Sequence, residues 1–153
     1  MKKFNITLSK NFLQKHPKEG TPTFFRQSFE SGKKKHTIRG NFEYWADIID
    51  QVQKGEAVLQ IKEWIDKPYK SKQELIAVLD MDSGIGYQEI HLTNFHTLQS
   101  SIDDKYHYIH QDDASIYYND GLLYEDFRDW FFSLKSQETH FSGIIIHFTS
   151  LRY

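Results

Sequence analysis

The segment GKKKHTIR, residues 32–39, is the part of this sequence that says most about its fold. Because side chains alternate between the two faces of a strand, Lys35, Thr37 and Arg39 are expected to share one face. Ile38 then lies on the opposite face, where an apolar side chain belongs in the core. The face of Thr37 is therefore a polar pocket or groove, in which Lys35 and Arg39 are candidate ligand-binding residues.

A hydroxyl flanked by cations suits an oxyanion, a phosphate or a polarised carbonyl group. A solvated basic strand at the rim of a sheet would show the same pattern.

Periodic patterns on both sides of this segment indicate an α+β fold. Four apolar residues recur at the i, i+3, i+4 and i+7 spacing of a helix that buries one face, namely Trp45, Ile48, Ile49 and Val52. Three helices are expected, at residues 22–31, 41–54 and 125–132. Strands are expected at residues 2–8, 35–39, 57–64, 73–79, 87–92 and 141–148, with a further strand within 102–111 and a helical turn at 114–119. This order predicts a curled sheet with helices outside it, and all 153 residues fit a single domain, 1–153.

The composition excludes several kinds of site. With no cysteine in 153 residues, the chain has no disulfides, zinc–thiolate sites or thiol nucleophiles. Its eight histidines show no metal-ligand spacing, so no metal and no cofactor are expected. No apolar run is long enough for a signal peptide or a membrane span, which predicts a cytoplasmic protein with no membrane partner.

Charge is distributed unevenly along the chain although the net charge is only −2. Residues 1–40 carry ten Lys and Arg against two acids, and residues 41–153 carry nine against nineteen, which gives local net charges of +8 and −10. A basic segment beside an acidic body is typical of proteins that bind a phosphate-bearing partner. Attraction between the two halves within the fold would account for the pattern equally well.

The same segment carries a resemblance to a known family. The order G-x-K-x-x-T-I-R, whose fixed positions are Gly32, Lys34, Thr37, Ile38 and Arg39, resembles the signature of ASCH domains. The aromatic residues within 23–29 resemble the helix that precedes that signature, and residues 119–131 and 144–148 resemble the C-terminal half of the family. The resemblance implies a PUA-like curled β-barrel with about three surrounding helices. It also implies that RNA or a modified nucleotide binds in the cleft around the signature.

An enzymatic role is the alternative that the resemblance implies. Some small ASCH proteins are metal-independent amidohydrolases that remove the acetyl group from N4-acetylcytidine with Lys, Thr and Glu. Matched by motif, the base is Lys34, the nucleophile is Thr37 and the acid is Asp120, so that this chain has Asp in place of Glu. The lysine must be neutral to take the threonine proton, which requires that burial or a nearby cation lower its pKa.

Two features of the sequence favour binding over hydrolysis. The acid is not the family residue, and the Asn-Asp-Gly sequence around Asp120 is also common in turns. Strand alternation puts Lys35 beside Thr37, so Lys34 can serve as the base only if the strand begins after it. The sequence leaves open which lysine faces the pocket, and whether the chain is an enzyme.

A second candidate surface mixes aromatic and basic residues between two of the expected strands. It consists of Trp64, Lys67, Tyr69 and Lys70. An aromatic face beside a cation can stack on a base and hold its phosphate, so these four are candidate ligand-binding residues. An exposed lysine-rich hairpin that protects a sheet edge would look the same.

Overall fold

Two β-sheets and four helices make up the chain in the computed structural model, which describes residues 1–110 and 115–153. The strands are β1 (Lys2–Leu8), β2 (His36–Arg39), β3 (Ala57–Trp64), β4 (Gln73–Leu79), β5 (Gly86–Asn94), β6 (Leu98–Ile102), β7 (Lys105–Tyr108) and β8 (His140–His147). The helices are α1 (Phe25–Glu30), α2 (Phe42–Gln53), α3 (Ser115–Asn119) and α4 (Tyr124–Phe132). The predicted α+β class is therefore confirmed.

The strands of the described residues form two separate sheets. In the first, of order β1-β3-β4, β1 runs parallel to β3 and β4 runs antiparallel to it. The second sheet has the order β2-β8-β5-β6-β7 and is antiparallel throughout. The sequence predicted one curled sheet, whereas no strand pairing joins these two within the described residues. A closed barrel needs an unbroken ring of paired strands, and each sheet here ends in two edge strands, so no closed barrel is formed in this part of the chain.

The described residues contain four helices, one more than the three that the sequence predicted. The additional helix is α3, which lies within the helical turn predicted at 114–119, and residue 114 itself is outside the described residues. The range 102–111, in which one strand was predicted, contains the last residue of β6 and the whole of the short strand β7. Residue 111 also lies outside the described residues. No helix within residues 1–110 and 115–153 is long and apolar enough to cross a membrane.

Helix α2 holds the two sheets together by side-chain packing. It contacts β3 of the first sheet and β5 and β8 of the second. Its predicted apolar face is buried at Ile48, Ile49 and Val52, while Trp45 is half-buried at the margin. Fully burying one such aliphatic side chain is worth about 1.5–3 kcal/mol. Asn41 caps the start of the helix, because its side-chain oxygen accepts a hydrogen bond from the Tyr44 N–H.

Strand β2 begins at His36, one residue later than the sequence predicts. It pairs with β8, so that His36 lies opposite His147. The preceding residue, Lys35, is held on both sides of its backbone, because its N–H donates to the Asn119 carbonyl at 2.7 Å and its carbonyl accepts from the Phe148 N–H at 2.9 Å. These bonds bring the turn that follows α3 against the start of β2.

Candidate functional site

A cavity of about 100 Å³ lies beside β2, close to the turn that follows α3. Five polar residues and two aromatic rings contribute to its walls, namely Ser9, Lys34, Thr37, Arg39, Asp120, Phe25 and Trp130. The three residues matched to a catalytic set therefore line one cavity, although Asp120 comes from a distant part of the chain. A concave site with a few convergent polar groups and apolar walls is the usual form of a ligand site.

Lys34 is almost completely buried beside Asp120. Its side chain is 1% exposed, and its Nζ donates to the Asp120 carbonyl oxygen at 2.7 Å and lies 3.2 Å from Oδ1 of the same residue. The ammonium also lies 4.2 Å from the centre of the Phe25 ring, a cation–π contact. Burial lowers the pKa of Lys34, and the Asp120 carboxylate opposes that shift. The cavity thus contains a lysine with two oxygen partners and little contact with water.

Asp120 is placed by the turn that ends α3. Its N–H donates to carbonyls of the last helical turn, and Gly121 follows with φ +82°, a conformation that favours glycine. A Cβ at position 121 would lie 3.3 Å from Cβ of Lys34, so the absence of a side chain there lets the lysine pack against the turn. The Asn-Asp-Gly sequence forms a turn, and the same turn carries the carboxylate into the cavity.

Arg39 and Thr37 supply further donors to the cavity wall. The Arg39 Nη2 donates to the Thr7 carbonyl at 2.7 Å, but its buried Nε has no hydrogen-bond partner among the described residues. Burial lowers the pKa of Arg39, with Asp120 and Tyr69 opposing the shift. Thr37 is 6% exposed, and its hydroxyl makes no hydrogen bond within residues 1–110 and 115–153. Leaving a buried donor such as Arg39 Nε unpaired costs about 1–3 kcal/mol, so this group indicates room for a polar ligand or water.

The structure brings Lys34, and not Lys35, to the cavity. Strand alternation predicted Lys35 on the face of Thr37, but that rule does not apply because β2 begins only at His36. Lys35 is half-buried and is not part of the cavity wall. Its backbone is hydrogen-bonded to Asn119 on one side and to Phe148 on the other.

The second candidate surface lies in the connection between β3 and β4, outside the cavity wall. The rings of Trp64 and Tyr69 are 5.3 Å apart, and Tyr69 is 90% exposed with φ +62°. Lys67 and Lys70 are exposed on the same connection. The connection stands near the cavity, because Tyr69 is close enough to Arg39 to influence its pKa. The structure therefore places these four residues together, beside the first site and not within it.

A larger groove of about 540 Å³ is lined in part by Gly121, the residue that follows Asp120. Its two lysines already have partners. Lys18 forms an ion pair with Asp126 at 2.8 Å, and Lys33 lies 4.9 Å from the centre of the Tyr118 ring. The smaller cavity is the better candidate for a ligand site because its polar groups are buried and only partly paired.

Sequence reasoning missed a buried polar cluster directly behind Asp120. His36 is fully buried, with its Nδ1 3.3 Å from Oδ1 of Asp120 and its Nε2 2.6 Å from the Tyr153 hydroxyl. His147 lies beside it, with ring centroids 5.5 Å apart, and its Nε2 is 2.9 Å from Oε1 of Gln88. Burial lowers the pKa of His36, and it lowers the pKa of His147 to about 3. The signals in the sequence were the position of His36 inside the signature segment and that of His147 in an apolar strand, which predicts a hydrogen-bonded core residue.

Comparison with other proteins gives no family assignment. This chain matches no protein-family model, no curated protein and no solved structure. Among residues 1–110 and 115–153, no group of three or more His, Asp or Glu side chains could hold a metal ion. The function proposed for this chain therefore rests on the cavity and on the short signature segment.

Proposed function

We propose that this chain is a cytoplasmic ASCH-type domain that binds RNA or a modified nucleotide, with one base-sized group in the cavity beside β2. In this proposal residues 1–153 form one PUA-like domain, and the two sheets correspond to the walls of its curled barrel. The observation that carries the proposal is the combination of buried polar side chains, the unpaired Arg39 Nε and aromatic rings around one small cavity.

The size of the cavity indicates which part of a ligand it accepts. Sites for whole drug-sized ligands have volumes of about 300–1,000 Å³, and the cavity, at about 100 Å³, is well below that range. It therefore suits one ring or one acyl group, while the sugar and phosphate of a nucleotide stay outside.

The polar groups of the cavity suit the hydrogen-bonding edge of a base. Asp120 can accept hydrogen bonds from an amino group, and Arg39 and Thr37 can donate to a carbonyl oxygen or a ring nitrogen. Phe25 and Trp130 supply apolar surface for the faces of a ring. Recognition of unstacked bases by edge hydrogen bonds and aromatic faces is the usual mode for single-stranded RNA.

The connection between β3 and β4 suits the rest of the ligand. Lys67 and Lys70 are exposed cations on the same short segment as the Trp64 and Tyr69 rings. Cations that follow the backbone and aromatic rings that stack on neighbouring bases are the two components of single-strand binding. Thr7, which precedes the cavity-lining Leu8, accepts hydrogen bonds from both Gln73, the first residue after this connection, and Arg39 of the cavity wall.

Titration with a single-stranded RNA decamer at several salt concentrations tests this proposal. We expect the logarithm of affinity to fall linearly with the logarithm of salt concentration, because neutralised phosphates release counterions. Replacing Lys67 and Lys70 together by Gln should weaken binding and reduce the slope by about 1.4, which corresponds to about 0.7 for each lost phosphate contact. Lys105→Gln is the control, since Lys105 starts β7, four strand spacings or about 19 Å from β2 across the sheet. Absent or salt-independent binding would contradict the proposal.

A metal-independent amidohydrolase is the second candidate, favoured by the convergence of Lys34, Thr37 and Asp120 on one cavity. In that reaction neutral Lys34 takes the Thr37 proton, and the hydroxyl oxygen attacks the acyl carbon of an N4-acylated cytidine. An acid at Asp120 then protonates the leaving nitrogen as its bond to the acyl carbon breaks. A water molecule hydrolyses the resulting Thr37 ester, which releases the acyl group as acetic acid and restores the hydroxyl, and the proton on Lys34 returns to Asp120. Burial lowers the pKa of Lys34, as a general base requires. The two oxygen partners of its Nζ favour the ammonium form, which is why binding is the first proposal.

Release of acetate from N4-acetylcytidine distinguishes the two candidates. If the chain is a hydrolase, acetate is released, Thr37→Val abolishes turnover while the fold is retained, and Thr37→Ser restores part of it. If no acetate is released from a panel of acylated nucleosides, hydrolysis is rejected and the binding proposal is unaffected.

A further inference from the structure

We propose that Ser142, His91 and Glu89 form a hydrolytic centre for small esters on the solvent-facing side of the second sheet. In this centre Ser142 is the nucleophile, His91 is the base and Glu89 is a positioning residue. Oγ of Ser142 lies 2.8 Å from Nδ1 of His91, and Nε2 of the same ring lies 2.7 Å from Oε1 of Glu89. A hydroxyl, an imidazole and a carboxylate in this order form the arrangement that activates serine in hydrolases of unrelated folds. None of the three residues lines the cavity beside β2.

The sheet places the three side chains on one face. Glu89 and His91 are two residues apart on β5, so alternation directs both to the same side. Ile90 and Leu92, at the alternate positions, are buried in the core, and the side of His91 therefore faces solvent. Ser142 of β8 lies directly opposite His91 in the antiparallel register, where Cβ atoms are about 4.5–5.5 Å apart. Side chains on paired strands are held more precisely than side chains on loops.

The carboxylate determines which nitrogen of His91 is the base. An ionised carboxylate oxygen can only accept a hydrogen bond, so Nε2, 2.7 Å from Glu89, carries the proton. In a neutral imidazole Nδ1 then has the lone pair, and the Ser142 hydroxyl donates to it. The two nitrogens have the reverse of their roles in serine proteases, and either nitrogen of an imidazole can act as a base.

A hollow of about 150 Å³ beside His91 indicates the class of substrate. It is lined by His91, Thr93, Gln99, Ser100, Ser101 and Tyr106. Its volume is about half the lower limit of roughly 300 Å³ for drug-sized ligands, so it suits one ring or a short chain. The side chains of His91 and Glu89 are 45% and 44% exposed, and Ser142 is exposed as well. Water therefore solvates the oxyanion that forms at this face, which suits an ester with a good leaving group and not a less reactive amide.

The reaction requires only the groups on this face and one water molecule. Nδ1 of His91 takes the proton of Ser142 as Oγ forms a bond to the acyl carbon. The bond between that carbon and the ester oxygen then breaks, and the leaving oxygen takes the proton from Nδ1. Water attacks the acyl-serine in the same way, which releases a carboxylic acid and restores the hydroxyl. Glu89 stabilises the imidazolium that forms in both steps and takes up no proton.

Labelling with a fluorophosphonate probe and hydrolysis of p-nitrophenyl acetate test the activity. The probe forms a bond from phosphorus to an activated serine oxygen and releases fluoride. Trypsin then separates residues 136–152 from residues 36–39, so that a label on Ser142 is distinguished from one on Thr37. We expect Ser142 to be labelled, and Ser142→Ala and His91→Gln each to lower kcat/KM by about 100-fold, the lower limit for a positioned base. Ser150→Ala is the matched control, an exposed serine that lies beyond the end of β8.

A thiol at position 142 tests the contact with His91 without any substrate. The chain has no cysteine, so Ser142→Cys introduces a single thiol. We expect its thiolate, followed by ultraviolet absorbance, to form about one pH unit below that of Ser150→Cys, because a thiol beside an imidazole is more acidic. Adding His91→Gln should remove this difference.

The role of Glu89 is tested by a separation of kcat from KM. We expect Glu89→Gln to lower kcat and leave KM unchanged, and Glu89→Asp to restore part of kcat, whereas a merely structural role would change the melting temperature of Glu89→Gln instead. The inference is overturned if Ser142 is labelled no faster than in the urea-unfolded protein, or if the label is found on Thr37 alone. It is also overturned if the thiolates of Ser142→Cys and Ser150→Cys form at the same pH. None of these results depends on RNA binding, so this inference and the proposed function fail or stand separately.

Discussion

Breaking the Lys34–Asp120 ion pair is expected to destabilise this protein strongly. The two charged atoms are 3.2 Å apart, with side chains 1% and 6% exposed. At an effective dielectric constant of about 20, two unit charges at this separation attract by about 5 kcal/mol. That attraction offsets the cost of removing both charges from water, so a variant that loses one partner retains a buried charge without compensation.

Lys34→Met and Asp120→Asn each remove one charge and keep a side chain of similar shape. We expect each to lower the free energy of unfolding by about 3–5 kcal/mol, the usual cost of breaking a buried pair. For a chain of this length the corresponding fall in melting temperature is roughly 6–20 °C. The double variant removes both charges and should lie within about 1 kcal/mol of the parent, because neutral replacements of a buried pair are often tolerated.

Urea unfolding at pH 7 measures all three variants, and Lys18→Met is the control. Lys18 forms an ion pair with Asp126 at 2.8 Å, but its side chain is 48% exposed, so its loss should cost only about 0–1 kcal/mol. The reasoning is refuted if the two single losses are each below about 1 kcal/mol, or if they add in the double variant. Either result would mean that water in the cavity already screens the pair.

Two further predictions concern the site and its surroundings. Gly121→Ala should destabilise the protein more than Gly20→Ala, because both glycines have φ near +80° but only a Cβ at position 121 would press against Lys34, at 3.3 Å. Urea unfolding of the two variants measures the cost of this contact as the difference between their free energies of unfolding. Equal losses of stability in the two variants would contradict the prediction. The pKa of His147 is lowered to about 3 from 6.5, so the unfolded state binds more protons than the folded state between these two pH values. The free energy of unfolding therefore falls as pH falls through that window, by up to about 1.4 kcal/mol per pH unit. His147→Gln should reduce the slope of stability against pH by that amount between pH 6 and 4, and an unchanged slope would contradict the assignment.

The local elements of this protein were predictable from side-chain periodicity. Alternation and apolar runs predicted residues 2–8, 57–64 and 73–79 as strands, and β1, β3 and β4 have those bounds. The helical spacing around Ile48 predicted α2. Each of these signals lies within a few residues of chain, because a strand or helix that buries one face must repeat its apolar positions at its own period.

The arrangement of the site was decided by contacts between residues far apart in the chain. The backbone bonds of Lys35 to Asn119 and Phe148 precede β2, which starts at His36, and Lys34, not Lys35, lines the cavity together with Thr37. They also bring Asp120 to Lys34, which the sequence could suggest only through the resemblance. The separation into two sheets depends on the same kind of long-range pairing.

The signature segment therefore contained the chemical groups but not their geometry. Residues 32–39 determined that a lysine, a hydroxyl and an arginine lie close together, because neighbours on a short segment cannot separate. Only the tertiary structure decided which lysine is buried, which carboxylate it meets and which histidine lies behind that carboxylate. The physical reason is that the pairing of backbone groups across the sheet and the turn, and not the order of side chains, sets the direction in which each one points.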